Sequence, residues 1–321
     1  MPGTRLKYWL SFLFDPARLS NRTIRWLRIL SIALLAGVAI AARLIPGGGF
    51  DWYRGYMLYA NDPFSSLRPT WIYLILEPIT HLPHSLFWFT LLNTLALAGA
   101  LFLVELPHPL LMLTLPVFWV LFYGQIDGWF ALGAVLGWYS IKNKKPISLG
   151  LALVLLSSKP HLGFPIAIYY MIRSRNWRMF IWPAGVLLIS MLVYGLWPLR
   201  LLQVFLGMNF QEYTEQTVNI SLWPWSLILL LPLIWRWHNL TPFKRSTAVL
   251  ALTYLTVPYS PVYTLIGLLF LTNQWPVFSF LLLPAWGGRQ AAQIAGILFT
   301  LAIFTRSLWP DHDELPIMVN S

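Results

Sequence analysis

Apolar stretches of bilayer-spanning length recur along this 321-residue chain, the first running from Leu27 to Ile45. A hydrocarbon core about 30 Å thick takes roughly 20 consecutive apolar residues to cross as a helix. Mean hydropathy is +0.64 and only 10% of residues are charged, far from the balance of a soluble domain. The fold class is therefore all-α, a polytopic membrane protein with roughly 10–12 transmembrane or re-entrant helices. Its 18 Trp and 14 Tyr suit a large interfacial surface. The chain has no cysteine, which excludes thiol chemistry, disulfides and Cys-ligated metal.

The net charge of +11 first suggests an anionic partner, yet its distribution gives a simpler reason. Arg5, Lys7, Arg18, Arg22, Arg25 and Arg28 precede the first span, and further clusters fall at Lys142–Lys145, Arg173–Arg178 and Arg236–Arg245. Alternate loops carry them, so the positive-inside rule sets both termini in the cytoplasm and Pro46–Trp71 outside. The charge is an orientation signal, with no nucleic acid implied. Leu27–Ile45 is longer than a signal-peptide core and is expected to stay as an uncleaved helix.

Residues 1–26 form a basic, amphipathic cytoplasmic N-terminus, 27–305 a single transmembrane domain, and 306–321 an acidic cytoplasmic tail. Outer loops are expected at about 46–84 and 198–221. Within the first, Trp71–Leu82 is too short to span and is expected to lie in or re-enter the outer interface. Spans are expected at Ser85–Val104, Pro109–Tyr123 and Gln125–Ile141. Pro146–Ile172 lies between two basic clusters and is broken by Ser157-Ser158-Lys159-Pro160-His161. Arms of about 12 residues reach only roughly 18 Å, so the tip stays at membrane depth or meets a dished surface. Irregular backbone there must be buried in protein or line a watery cavity. A second pair of short arms surrounds Pro258-Tyr259-Ser260-Pro261.

No dinucleotide fingerprint, Walker A loop or zincin motif is present, and no carboxylate cluster calls for a metal or other cofactor. The remaining polar groups fall mostly on one side: Asp51 and Arg54, Gln125 and Asp127, Lys159 and His161, Arg200, and Tyr259 with Ser260. An acid, several cations and aromatic faces converging there suit a sugar phosphate, the carboxylate acting as base and the cations offsetting the leaving phosphate. Each residue also has a plainer role open to it. Asp51 could cap a helix near Trp52, Gln125 and Asp127 could cap another, and Lys159 could snorkel to the interface. Arg200 could pair with a lipid phosphate, and Arg43 is expected to snorkel outward.

Four segments in order resemble the GT-C glycosyltransferases, specifically family 87. They are Phe50-Asp51-Trp52-Tyr53 with Asn61-Asp62-Pro63-Phe64 and Pro69; Gly124-Gln125; Lys159-Pro160-His161 closed by Arg175 and Trp177; and Pro258-Tyr259-Ser260-Pro261 with Tyr263. The chain departs from the family at Arg68-Pro69-Thr70-Trp71, where Tyr-Pro-Pro-Leu is common. The resemblance implies a GT-C-like fold, Asp51 as catalytic base and Lys159 as donor-phosphate contact. It also implies a polyprenyl-phosphate sugar donor, a mannosyl group and a lipid or glycan acceptor at the outer face of the cell membrane. Two other classes stay open: a transporter or flippase for a lipid-linked or anionic solute, and a non-catalytic scaffold subunit.

Overall fold

The computed structural model describes residues 19–60, 68–206, 218–273 and 275–309. The segment before Leu19, Asn61-Asp62-Pro63-Phe64, the loop residues Asn209, Glu212 and Glu215, and the acidic tail lie outside them. The described chain is helical, with one isolated antiparallel bridge between Asn219 and Pro261. In order the helices are α1 Asn21–Leu44, α2 Tyr73–Thr80, α3 Ser85–Leu103, α4 Leu115–Tyr123, α5 Asp127–Lys142, α6 Pro146–Leu156 and α7 Pro160–Ser174. They continue with α8 Ile181–Tyr194, α9 Trp197–Leu206, α10 Leu230–Arg236, α11 Pro242–Thr256, α12 Ile266–Leu271 and α13 Arg289–Leu308.

Among the described residues, four helical stretches are long and apolar enough to cross a bilayer: α1, α3, Trp177–Tyr194 and α13. The others are shorter and pack among them, and several expected spans divide at proline. Pro109–Tyr123 becomes a 3-10 turn, Pro109–Leu113, then an extended Thr114 and the nine-residue α4. Pro109 and Pro116 each start a new helical segment, where the missing N–H costs nothing. Pro276–Gly287 is a run of 3-10 turns with Pro284 inside it.

α1 starts ahead of the apolar run because Ser20 caps it, its Oγ accepting from the Thr23 amide at 3.1 Å. Arg22, Arg25 and Arg28 therefore sit on helix. Arg28 donates to the carbonyls of Leu101 and Val104 at 3.2 and 3.1 Å, satisfying the end of α3. Arg43 does not snorkel away. Its Nη2 donates to Leu121 and Phe122 carbonyls at 2.6 and 2.7 Å, because the last turn of α4 leaves those acceptors unpaired.

The short hairpin read from the sequence is present: α6 and α7 are joined at Ser157-Ser158-Lys159. α6 has 11 residues, roughly 17 Å of helix, well short of a full crossing. Gly163 lets its arms close up, since a Cβ there would overlap the Leu156 carbonyl. The tip is held by Trp71, whose Nε1 donates to Ser157 Oγ at 3.1 Å. Trp71, Ile72, Tyr73 and Leu76 are buried, so one face of Trp71–Leu82 packs against the protein while Ile75 and Leu82 stay exposed.

A second apolar core sits under the loop after α1. Phe50 and Asp51 begin a short helical stretch whose middle, Trp52–Met57, winds as π-helix before Leu58–Ala60. Trp52 stacks on Phe89 with centroids 4.5 Å apart and donates to Ser85 Oγ at 3.0 Å. Both rings are fully buried, a large apolar gain with the indole N–H satisfied. Gly124 ends α4 at φ +72°, and a Cβ there would lie 2.9 Å from Trp52 Cβ. Gly124→Ala combines left-handed strain with a clash, so a loss of about 1–3 kcal/mol is expected. The check is the thermal inactivation midpoint in detergent, with Gly37→Ala, which meets open space inside α1, expected to stay at the parental midpoint.

Candidate active site

Three elements bring the predicted polar groups together. The π-helical stretch supplies Asp51, the start of α5 supplies Gln125 and Asp127, and the hairpin tip supplies Lys159 and His161. Pro258–Pro261 closes the side. There Asn219 donates to the Pro258 carbonyl at 2.8 Å and accepts from the Ser260 amide at 2.8 Å.

Asp51 occupies the capping position of its helix but makes no side-chain cap bond. Its half-buried carboxylate instead hydrogen-bonds Gln125. Gln125 Oε1 in turn accepts from Tyr56 at 3.5 Å, and the Tyr56 oxygen accepts from the Ile126 amide at 3.2 Å. The i→i+5 winding puts Tyr56 with Asp51 at Gln125. Ordinary α-helical spacing would have aligned Arg54 with Asp51; in the structure Arg54 is exposed, 5.1 Å over the Phe50 ring. Asp51 lies beyond the end of α1, and burial pushes its carboxyl above the usual carboxylate range. The Gln125 hydrogen bond and the charges of Arg68 and Lys159 oppose that rise, and Asp127 adds to it.

Asp127 is fully buried and forms an ion pair with Lys159, Oδ2 to Nζ 2.9 Å. Lys159 also lies 5.0 Å over the Tyr263 ring. The lysine side chain is 12% exposed, so it faces the cluster and does not snorkel away from it. His161 stands 6.1 Å, ring to ring, from Tyr259. His161 Nε2 and Ser260 Oγ are both buried without a hydrogen-bond partner. Arg200 is exposed on α9 and is not among the charges acting on Asp51.

Arg68 was missed as a site residue because it marked a departure from the family pattern. Its guanidinium lies 4.1 Å over the Tyr56 ring and donates to the Gly55 carbonyl at 2.8 Å. Tyr56 was missed for a different reason: nothing in the sequence announces the π-helical turn. Two cavities lie away from this cluster. One, of about 200 Å³, is at the opposite end of α5 beside the Glu105–Lys142 ion pair. The other, of about 320 Å³, lies beside the C-terminal end of α1.

The model of glycosyltransferase family 87 matches residues 68–258. The chain belongs to glycosyltransferase family 87. It is thus a membrane glycosyltransferase, and the transporter and scaffold readings give way. The match contains Arg68, Gln125, Asp127, Lys159, His161 and Arg200, and stops just before Tyr259 and Ser260. Asp51 precedes it, so the acid's place in the site rests on geometry. Comparison with curated proteins and with solved structures found no match.

The buried pair makes its own prediction for this glycosyltransferase. Lys159→Met leaves Asp127 buried without its partner, a loss of about 3–5 kcal/mol. Combining it with Asp127→Leu removes both charges and is expected to restore most of that stability. Thermal unfolding of the two singles and the double in one detergent reads the coupling. Additive losses would mean that the two side chains do not interact.

Proposed function

We propose that the enzyme transfers a hexosyl group, mannosyl by preference, from a polyprenyl-phosphate donor to a lipid or glycan hydroxyl at the outer face of the cell membrane. Asp51 takes the acceptor O–H proton as the new C–O bond forms at the anomeric carbon. The bond from that carbon to the donor phosphate oxygen breaks, its electron pair leaving on the phosphate. Attack opposite the leaving group inverts the anomeric configuration. The observation that carries this reading is the meeting of Asp51 with two cations, Arg68 and Lys159, at one end of the helical bundle.

Lys159 is the donor-phosphate contact. An ammonium has three N–H donors, and the pairing with Asp127 leaves others for the phosphate while fixing where they point. Asp127, wholly buried, reaches substrate only through Lys159. Arg68, held over Tyr56, adds a second charge toward the same phosphate. His161 Nε2 and Ser260 Oγ are free to bond sugar hydroxyls, and Tyr259 offers an aromatic face. The basic loops support a topology with both termini in the cytoplasm and this site outside, away from cytoplasmic nucleotide sugars.

Asp51→Asn should lower kcat by about 10²–10⁴-fold, the usual worth of a general base, with donor binding kept. Near-normal turnover would remove Asp51 from the role. In a purified system, a polyprenyl-phosphate sugar is expected to serve as donor and the matching nucleotide sugar to fail. Transfer from the nucleotide sugar alone would overturn the donor assignment.

The pH profile gives an independent check. A base acts only as carboxylate, and burial raises the pH at which Asp51 ionises. The acid limb of kcat/KM should therefore fall above ~4, the ordinary carboxylate value. Gln125→Leu removes a hydrogen bond that favours the ionised form, so the limb should move further up in pH. An unmoved limb in that variant would mean that another group titrates.

A further inference from the structure

We infer that the cavity between the outer ends of α1 and α3 binds the phosphate of an anionic lipid headgroup. It holds about 320 Å³ and is lined on one side by Arg43, Gly47 and Gly48, and on the other by Tyr53, His84 and Phe87. Both helices that frame it are long and apolar enough to cross the membrane. A cavity where one such span ends and its antiparallel neighbour begins lies at headgroup level. This assignment does not depend on which donor the active site takes.

Three features give the cavity its preference. First, Arg43, His84 and the Tyr53 hydroxyl bring N–H and O–H donors to it, and among the described residues no Asp or Glu lines it. Second, Arg43 has donor capacity to spare. It lines the cavity, and capping α4 uses its Nη2 alone. Third, the backbone is bent to keep the space open. Gly47 and Gly49 have φ of +83° and +84°, and His84 adopts φ +54°, an uncommon conformation for a side chain with a Cβ. Strain of that kind persists where the surroundings enforce it, often at ligand clamps. Capping alone explains the Nη2 bonds, but not the strained rim or the empty space in front of the guanidinium.

The lipid's chains would follow Ile45 and Phe87, both exposed at the rim. The site also touches the catalytic segment. The Gly49 amide donates to the Phe122 carbonyl at 2.6 Å, and Asp51 and Tyr53 follow on the same short helix. A headgroup held by Arg43 and Tyr53 would steady the stretch from which Asp51 projects.

The test is lipid retention by the full-length protein. It is placed in nanodiscs of phosphatidylcholine with a minor fraction of phosphatidylglycerol, extracted, and its co-purifying lipid measured by native mass spectrometry. The parent should keep phosphatidylglycerol in preference to phosphatidylcholine. Arg43→Gln should lower that preference by about fivefold, the worth of one basic side chain at a lipid surface. Because Arg43 also caps α4, the deciding variants are Tyr53→Phe and His84→Ala, which leave that cap intact and remove the hydroxyl and imidazole donors; together they should reproduce the loss with unchanged thermal stability. A parent without preference, or a double variant that retains lipid like the parent, would overturn the proposal. Millimolar inorganic phosphate separates the two sources of the anion. If it binds in the cavity while phosphatidylglycerol is not retained, the site takes a free anion and the lipid assignment fails.

Discussion

The ion pair between Asp127 and Lys159 joins the first turn of α5 to the tip of the α6–α7 hairpin. Neither group has a reason to be at that depth alone, since an unpaired charge in a low-dielectric interior costs several kcal/mol. Paired at 2.9 Å, they let a hairpin too short to cross the bilayer end against the start of α5. Trp71 adds a neutral bond to the same tip through Ser157, bringing the segment that leads into α2 over it. The polar site is thus enclosed by elements that are individually short. Its geometry depends on how they meet, not on any one long helix.

The aromatic platform of Trp52, Tyr56 and Phe89 has the complementary task of fixing the loop after α1. Trp52 is stacked and hydrogen-bonded, which leaves its helix little freedom to rotate. The π-helical winding then brings Asp51 and Tyr56 to one amide, Gln125. An amide presents an acceptor and a donor from one rigid plane, so it can accept the Tyr56 hydrogen bond and still donate to the carboxylate. Gly124 permits the arrangement by ending α4 in a left-handed conformation close under Trp52. The pair Gly124-Gln125 is therefore one unit: a bend that allows close approach, followed by the group that uses it.

The all-helical membrane class, the short hairpin and most of the polar cluster were legible in the sequence. Hydropathy reports what lipid excludes, and few polar residues remain to be placed. Lys159, His161, Gln125, Asp127 and Tyr259 stood out because each interrupts an apolar run. Arg54 was grouped with Asp51 because both fall in one short loop; in the structure it is exposed over the Phe50 ring, and the π-helical winding brings Tyr56 to Gln125. Arg68 was overlooked because it replaced an expected residue, and a single sequence does not say what fills a vacated role. Arg43 was read as a snorkelling side chain because its acceptors, two carbonyls 78 and 79 residues away, belong to a helix whose end is set by tertiary packing. Proline breaks within expected spans were visible as residues, but their effect on helix length depends on neighbours that can satisfy the freed backbone groups.

Two carboxylates so close to one site need different fates if one is to act as a base. Asp127 is wholly buried against a lysine and serves to place that lysine. Asp51 is only half buried, held by a neutral amide, and feels its cations at longer range. The environment that raises its proton affinity is what a base requires, since a carboxylate locked in a tight ion pair is a poor proton acceptor. The cations nearest the site are themselves restrained, Lys159 by Asp127 and Arg68 by the Tyr56 ring and the Gly55 carbonyl. Such restraint keeps them from collapsing onto Asp51 and quenching it. Charge separation in this site is thus enforced by their partners: a buried acid for the lysine, an aromatic face for the arginine, and an amide for Asp51.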